Sequence, residues 1–364
     1  MIKMKILNVV GARPNFMKIA PLMREYAKNE NDAYFDPLLV HTGQHYSDNM
    51  SKVFIDELGI NSPDLFLSMN PLMNSQAEQV ADIMVKFEKV CVIEKPDAVL
   101  VVGDVNSTVA CALAAKKLNI KVIHLEAGLR SFDMTMPEEI NRIITDSISD
   151  VLLTSCQDGN VNLAREGKDV SKIHYVGNIM IDSLYYNLKK IENSNIRERL
   201  NLFDPFILVT LHRPSNVDDK IILSNIMQRL RGVSEYLKVV FPMHPRTKHA
   251  IIDNNIDIGN IIITEPLGYY DFNNLMMASK GVITDSGGVQ EETTAVRIPC
   301  LTIRKNTERP VTIREGTNEL YDGNLDNIYS FCDRVMHKSW KIGGTVINWD
   351  GNTAKRVIDI LKRL

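Results

Sequence analysis

The chain has 364 residues, 45% hydrophobic and 24% charged, with 42 Lys and Arg against 45 Asp and Glu for a formal charge of −3. This composition excludes a disordered, collagen-like or coiled-coil chain, and at roughly 150 residues per domain the length predicts two domains. Charge of both signs is spread along the chain with no basic stripe for a nucleic acid, so an anionic ligand must be met by a few placed groups.

The five cysteines, Cys91, Cys111, Cys156, Cys300 and Cys332, are odd in number and form no close pair. They argue against a disulfide framework and a zinc knuckle, and for a reducing compartment. The apolar start passes straight into Gly11-Ala12-Arg13-Pro14 without a cleavage-like region, and nothing approaches the roughly 18 apolar residues of a membrane helix. The expectation is a cytoplasmic protein with neither a membrane nor a nucleic-acid partner.

In chain order, short β-branched runs at 6–10, 38–41, 98–102, 122–125 and 151–153 each end in a polar or glycine-containing turn, and stretches with helical spacing come next. Apolar runs without strict alternation predict strands buried on both faces of a parallel sheet. The segment 76–90 puts Val80, Ile83, Met84 and Phe87 on one helical face, a core stripe. The pattern softens near 177 and restarts with strands at 206–210, 239–241, 261–264, 282–284 and 300–303. The last twelve residues put Val357, Ile360 and Leu361 on the apolar face of a terminal helix.

The predicted fold class is therefore α/β, with two Rossmann-like domains facing across a deep cleft. An N-terminal domain at 1–176 carries the candidate carboxylates, a C-terminal domain at 177–350 comes second, and a helix at 351–364 is expected to pack back on the first.

Open α/β sheets bind ligands beyond the carboxyl ends of their strands, which directs attention to the residues just after each run. After the first, Gly11–Lys18 reads GARPNFMK. It is not a GxGxxG fingerprint, so a nicotinamide is poorly supported; Arg13 and Lys18 suit a phosphate or carboxylate, or are surface cations near a helix start. After 98–102, Asp104 is either a strand-end carboxylate with a purpose or the cap of the helix starting near Asn106. After 122–125 come Glu126 and then Pro137-Glu138-Glu139-Ile140-Asn141-Arg142. Glu138 and Arg142 share a face, so they are an i,i+4 ion pair or part of a site, while Glu138 and Glu139 diverge by about 100°. Carboxylates gathered near one cleft can raise one another's proton affinity and so act as acid and base.

In the second half, His212 comes after a strand and either donates to a diphosphate, shuttles a proton as a catalytic residue, or is an ordinary loop histidine. His244 and Arg246 stand on the next rim. Ser286-Gly287-Gly288 opens a helix, where backbone amides cradle a phosphate. Glu292, about one turn in, either reaches a ribose diol or is a favourable charge near the helix start. Phe272, in Tyr269-Tyr270-Asp271-Phe272, either holds a flat base or packs on the core, and Arg309 comes after a later strand.

Together the strings GARPNFMK, TGQH, GDVNS, HLEAGLR, PEEINR, TLHR, PMHPR, DSGGVQEE and NTERP resemble the non-hydrolysing UDP-N-acetylglucosamine 2-epimerases over nearly the whole chain. Each motif alone is weak; their ordered set is strong. The resemblance implies a fold similar to GT-B glycosyltransferases, and interconversion of UDP-GlcNAc and UDP-ManNAc by anti elimination of UDP to 2-acetamidoglucal and its return. It implies no metal and no nicotinamide or other cofactor, products that feed surface-polysaccharide synthesis, and a homodimer. Residue by residue, it implies that Asp104, Glu126 and Glu138 are the acid/base carboxylates. Arg13, Lys18, Arg142 and His212 become diphosphate or active-site partners, Ser286, Gly287 and Gly288 a phosphate nest, Phe272 part of the base pocket and Glu292 the ribose ligand. Arg309 closes the rim beside His244.

The family's effector region corresponds to Gln44, His45 and Arg213. The HRREN common in regulated members is His212-Arg213-Pro214-Ser215-Asn216 here, and Val311 stands where many members carry Glu after NTERP. The second departure leaves room for a UDP-diacetamido sugar acid as substrate. A hydrolysing 2-epimerase that releases UDP and ManNAc, a GT-B glycosyltransferase and a binding module without catalysis are the other readings.

Overall fold

The computed structural model describes residues 3–44, 59, 61–68 and 75–364, and of Arg13 the backbone only. His45 lies outside the described residues. The chain divides into two compact units, Met1–Tyr185 with Ile347–Leu364, and Tyr186–Val346.

The first unit is built on β1 (Met4–Val10), β2 (Phe35–His41), β3 (Leu65–Phe66), β4 (Ala98–Val102), β5 (Lys121–Ala127), β6 (Val151–Thr154) and β7 (Ile173–Tyr175). They form one parallel sheet in the order β3-β2-β1-β4-β5-β6-β7. The second unit has β8 (Phe206–Thr210), β9 (Lys238–Pro242), β10 (Ile262–Thr264), β11 (Gly281–Thr284), β12 (Cys300–Thr302) and β13 (Asn318–Leu320), again parallel, in the order β10-β9-β8-β11-β12-β13. Both sheets reverse strand order once, between β1 and β4 and between β8 and β11. The connections leaving those neighbouring strands diverge to opposite faces and open a crevice at their carboxyl ends.

The absence of alternation in the strand sequences has the expected cause, since every residue of β4 is buried. The helix Gln76–Glu94 begins with a capping box, in which the Ser75 hydroxyl accepts from the Glu78 amide at 3.1 Å while the Glu78 carboxylate accepts from the Ser75 amide at 3.1 Å. Its Ile83 and Phe87 are fully buried, with Val80 and Met84 at the edge of the same cluster.

The units divide within one helix, Ile179–Glu192, at Tyr185/Tyr186, where the sequence placed the boundary near 177. The start of this helix is tied to the first unit, the Ser183 hydroxyl donating to the Met17 carbonyl. Its end is tied to the second, the Asn274 amide donating to the Ile191 carbonyl at 2.8 Å.

The terminal helix Thr353–Leu361 lies against the helix Arg13–Tyr26. Ile358, with Val357 and Leu361, fills the buried face where the sequence suggested Ile360. Its first turn is capped from a distance: the Asp182 carboxylate accepts from the amides of Thr353 at 3.1 Å and Ala354 at 2.8 Å. Asp182→Ala is expected to cost about 0.5–2 kcal/mol, the range for a lost helix cap. Asp182→Asn, which keeps an acceptor, should recover most of that in thermal unfolding. Equal losses in the two variants would contradict the capping role.

Candidate active site

In the first unit the site is assembled from the tips of β1, β4 and β5. Asn15 does the stitching. Its side-chain oxygen accepts from the amides of Gly11 at 3.1 Å and Ala12 at 2.9 Å, while its Nδ2 donates to the Val102 carbonyl at 3.2 Å. Lys18, one turn further along the helix, thereby comes to lie beside Gly103. Gly103 has φ +67, and a Cβ there would stand 3.3 Å from both Lys18 Nζ and Glu126 Oε2. Glycine is the residue that both the backbone and the crowding allow.

Lys18 and Glu126 form an ion pair, each only 7% exposed. Glu126 sits where the β5–β6 register shifts between Leu125 and Ala127, and its φ is 76. A bulge re-aims a side chain that a regular strand would point into the sheet's packing, and a left-handed non-glycine residue costs roughly 1–3 kcal/mol unless its surroundings enforce it. Here local stability has been given up for the direction of one carboxylate.

Asp104 does not cap the next helix, whose N-cap residue is Val105. Its carboxylate instead pairs with Arg142, which is 2% exposed. The alternative of a Glu138–Arg142 surface pair is corrected by the structure. Arg142 is buried and is held through Nε and Nη2 by Glu139, at 2.9 and 2.6 Å. Glu138 is half-buried, and its side chain makes no hydrogen bond or ion pair among the described residues. Glu139 also accepts from the amides of Ser131 at 3.0 Å and Phe132 at 2.9 Å. Burial opposes its charge, but the Ser131 amide, Arg142 and the Phe132 amide outweigh it and hold the carboxyl below its ordinary range.

Gln44 caps the helix Asn106–Lys117, accepting from the Ser107 amide at 2.9 Å and the Ser107 hydroxyl at 2.7 Å. The backbone of Arg13 opens the helix Arg13–Tyr26.

In the second unit the matching crevice is organised by Asp285, which is fully buried at the end of β11. Asp285 accepts from the amides of His212 at 3.0 Å and Arg213 at 2.8 Å and from Asn216 Nδ2 at 3.1 Å, and it lies 2.9 Å from His212 Nδ1. Burial raises the cost of its charge, yet His212, the Arg213 amide and Asn216 together keep the carboxyl below its usual range. His212 is thus a ring tethered at one nitrogen and 43% exposed. Partial burial, then the His212 and Arg246 charges nearby, hold His244 below the ordinary histidine value. His244 accepts at Nδ1 from the Arg246 amide at 3.2 Å, which makes it the cap of the helix Pro245–Asp253.

The helix Gly287–Val296 begins at Ser286 with no side-chain hydrogen bond capping its first turn. A Cβ on Gly287 would stand 2.6 Å from Arg309 Nη1 and 3.0 Å from Glu308 Oε1. The glycine therefore lets a buried guanidinium approach a helix N-terminus, a place that already favours an anion. Arg309 is held by Glu291 at 2.8 Å, and Glu308 is shared with Arg304 at 2.9 Å and Arg213 at 3.9 Å. Phe272 packs against the cluster containing Leu275, Met276 and Val289.

Glu292 is 4% exposed. Burial, eased by the Tyr269 hydroxyl, reinforced by the Glu291 charge and eased again by Asn273, pushes its carboxyl up to about 7. Between its ordinary value of 4.5 and about 7 the folded protein holds a proton that the unfolded chain has lost, so this group's contribution to stability falls as pH rises through that window. Glu292→Gln should remove that slope. In urea unfolding the variant should gain on the parent by about 3 kcal/mol between pH 4.5 and 7.5. A constant difference would place Glu292 in contact with solvent.

The sequence singled out strand-end groups but missed several partners that aim them: Asn15, Glu139, Asp285 and Glu308. Asp285, directly after a buried strand, was the one with a readable signal. All five cysteines are buried and free. Among the described residues no helix is long and apolar enough to cross a membrane.

The fold and these clusters define an α/β protein of two parallel-sheet units. One presents carboxylates paired with cations at its strand tips, and the other an uncapped glycine-headed helix beside buried arginines. The family model for UDP-N-acetylglucosamine 2-epimerases matches residues 27–362. A UDP-N-acetylglucosamine 2-epimerase of Methanocaldococcus jannaschii is 40% identical, the alignment covering 98% of this chain and 99% of the relative. A UDP-2,3-diacetamido-2,3-dideoxy-D-glucuronate 2-epimerase of Pseudomonas aeruginosa is 36% identical, over 99% of this chain and 100% of the relative. The crystal structure of the M. jannaschii UDP-GlcNAc 2-epimerase in complex with UDP-GlcNAc and UDP superposes with a TM-score of 0.88 at 39% identity, covering 99% of this chain and 100% of that one. The chain belongs to the UDP-N-acetylglucosamine 2-epimerase family.

Proposed function

We propose that this protein interconverts UDP-GlcNAc and UDP-ManNAc without net hydrolysis. A carboxylate among Asp104, Glu126 and Glu138 takes the C2 proton while the bond from C1 to the UDP oxygen breaks, leaving 2-acetamidoglucal and UDP. UDP then adds back at C1 as a proton is delivered to the opposite face of C2. The observation that carries this reading is the pair of carboxylate–cation contacts at neighbouring strand tips, Glu126 with Lys18 and Asp104 with Arg142, in a chain of this family.

The cations explain how carboxylates and a diphosphate tolerate one another. Lys18 and Arg142 offset the negative charge of their partners, so proton-transfer groups are available without a field that repels the substrate. Positive groups are also the kind that stabilise charge developing on a departing diphosphate. In the second unit, the first turn from Ser286 through Gly288 and the Arg309 guanidinium are assigned to the diphosphate, with His212 as its polar partner and His244 on the same rim. Phe272 and Glu292 are assigned to the base and the ribose, the latter as the protonated or ionised form that pH selects. Gln44 and Arg213 already have structural partners, at Ser107 and near Glu308, and an effector role for them would build on those contacts. A homodimer, which rests on the family resemblance, and a cytoplasmic setting, which rests on the cysteines and the apolar pattern of the sequence, belong to the same reading; sedimentation would decide the first.

A second reading, epimerisation of a UDP-2,3-diacetamido sugar acid, is favoured by the P. aeruginosa relative. The test is a time course of both UDP-sugars resolved by anion exchange. The proposal expects UDP-ManNAc to rise to a plateau with only trace UDP. Equimolar UDP and free ManNAc would instead establish the hydrolysing enzyme, and turnover of the sugar acid alone the second reading.

A further inference from the structure

The HLEAGLR string contributed only Glu126 to the proposed chemistry, yet its histidine and arginine are among the most buried polar groups in the first unit. His124 is 0% and Arg130 3% exposed, and both converge on Asp146, also 0% exposed, from the helix Pro137–Ile148. His124 Nδ1 lies 2.6 Å from Asp146 Oδ1, and Arg130 Nη1 lies 2.7 Å from Asp146 Oδ2. Arg130 is anchored in turn by Glu166, its Nε and Nη2 each 2.7 Å from a carboxylate oxygen. Complete burial opposes charge on Asp146, but His124 and Arg130 overcome it and keep the carboxyl below its ordinary range.

The outward contacts of this network reach the two strand tips that carry the carboxylates. His124 Nε2 lies 2.8 Å from the Gly103 carbonyl and donates to it, and Gly103 directly precedes Asp104. Asp146 Oδ2 accepts from the Gly128 amide at 3.1 Å, two residues beyond Glu126. Gly103 and Gly128 both have positive φ, +67 and +80, and Glu126, at the tip of β5, has φ 76. Backbone of this kind keeps its geometry only where its surroundings enforce it.

Resting on the functional reading above, we propose that His124 and Asp146 are positioning residues of the epimerase reaction. From beneath the sheet edge they clamp the loops after β4 and β5, so that Asp104 and Glu126 keep the separation and direction that proton transfer at C2 requires. A core histidine chosen only for packing would not need both ring nitrogens engaged, nor partners on the two functional loops. Misplacement of reacting groups by about 1 Å can cost on the order of 100-fold in rate.

The test compares the parent with His124→Phe, which fills the space but makes neither bond, and His124→Gln, whose amide can still donate to the Gly103 carbonyl. In the full-length protein, kcat for 2-epimerisation, KM, the dissociation constant for UDP and the melting temperature are measured together. We expect His124→Phe to lower kcat about 100-fold with KM and UDP affinity within about threefold, and His124→Gln to restore at least a tenfold part of the loss. The partial rescue is the readout that a purely structural role would not give, and if His124→Phe does not fold, His124→Gln and Asp146→Asn carry the comparison, both expected to lower kcat at preserved UDP affinity. A folded His124→Phe protein with kcat within threefold of the parent would overturn the inference, as would parallel losses of kcat and UDP affinity. A parent protein that epimerises neither UDP-GlcNAc nor the diacetamido sugar acid would overturn the functional reading itself.

Discussion

Glu126→Gln is expected to lower kcat roughly 10²–10⁴-fold, the usual contribution of a positioned acid or base. Glutamine keeps the size and one acceptor of the carboxylate but takes up no proton. The affinity for UDP should stay within about threefold, because the groups assigned to the nucleotide are in the second unit. The substitution also leaves the Lys18 ammonium buried without its counter-charge, and breaking one side of such a pair typically costs about 3–5 kcal/mol. Activity and stability can be separated by pairing Glu126→Gln with Lys18→Met. The double variant should recover much of the melting temperature and none of the rate. A Glu126→Gln protein with near-parental kcat would reduce Glu126 to a structural partner of Lys18.

Gly128→Ala should produce a large loss of stability for a single added methyl. Its φ is +80, and the added Cβ would stand 2.5 Å from the Gly159 carbonyl oxygen and 2.7 Å from the Gly159 Cα. An L-residue in the left-handed region costs about 1–2 kcal/mol. Because both close atoms are backbone and cannot rotate away, overpacking adds about 1–3 kcal/mol. Gly167→Ala is the control, since that glycine has φ +76 but nothing within 4 Å of the added methyl, so it should show the conformational cost alone. Denaturant unfolding of the two variants measures the difference. Equal losses would mean that the segments at Gly128 and Gly159 separate freely.

Much of this architecture could be read from residues because buried parallel strands declare themselves as short apolar runs. The runs at 98–102 and 206–210 are β4 and β8 without adjustment. What escaped were the edge strands β3, β7 and β13, two or three residues long and largely half-exposed, which carry no apolar run to notice. The strand-end rule likewise located Asp104, Glu126, His212 and Ser286, since it depends only on chain order. It could not say which side chains aim them. Glu138 and Glu139 look alike in sequence, and the choice of Glu139 for Arg142 is made by the turn at Ser131 and Phe132, whose amides fold back onto it. His124 was hidden inside an apolar strand, and its partner Asp146 lies 22 residues away, just beyond the PEEINR string and in no motif itself. Long-range hydrogen bonds of this kind depend on packing, which no local pattern encodes.

Epimerisation by this route requires reversible loss and return of the proton at C2 of a UDP-2-acetamido sugar. Proton NMR of the purified protein with UDP-GlcNAc in deuterated water tests it most directly. Deuterium is expected to enter C2 in both UDP-GlcNAc and newly formed UDP-ManNAc while free UDP stays at trace level. A protein that binds UDP yet leaves the C2 proton in place, with UDP-GlcNAc and with the UDP-diacetamido sugar acid alike, would contradict it.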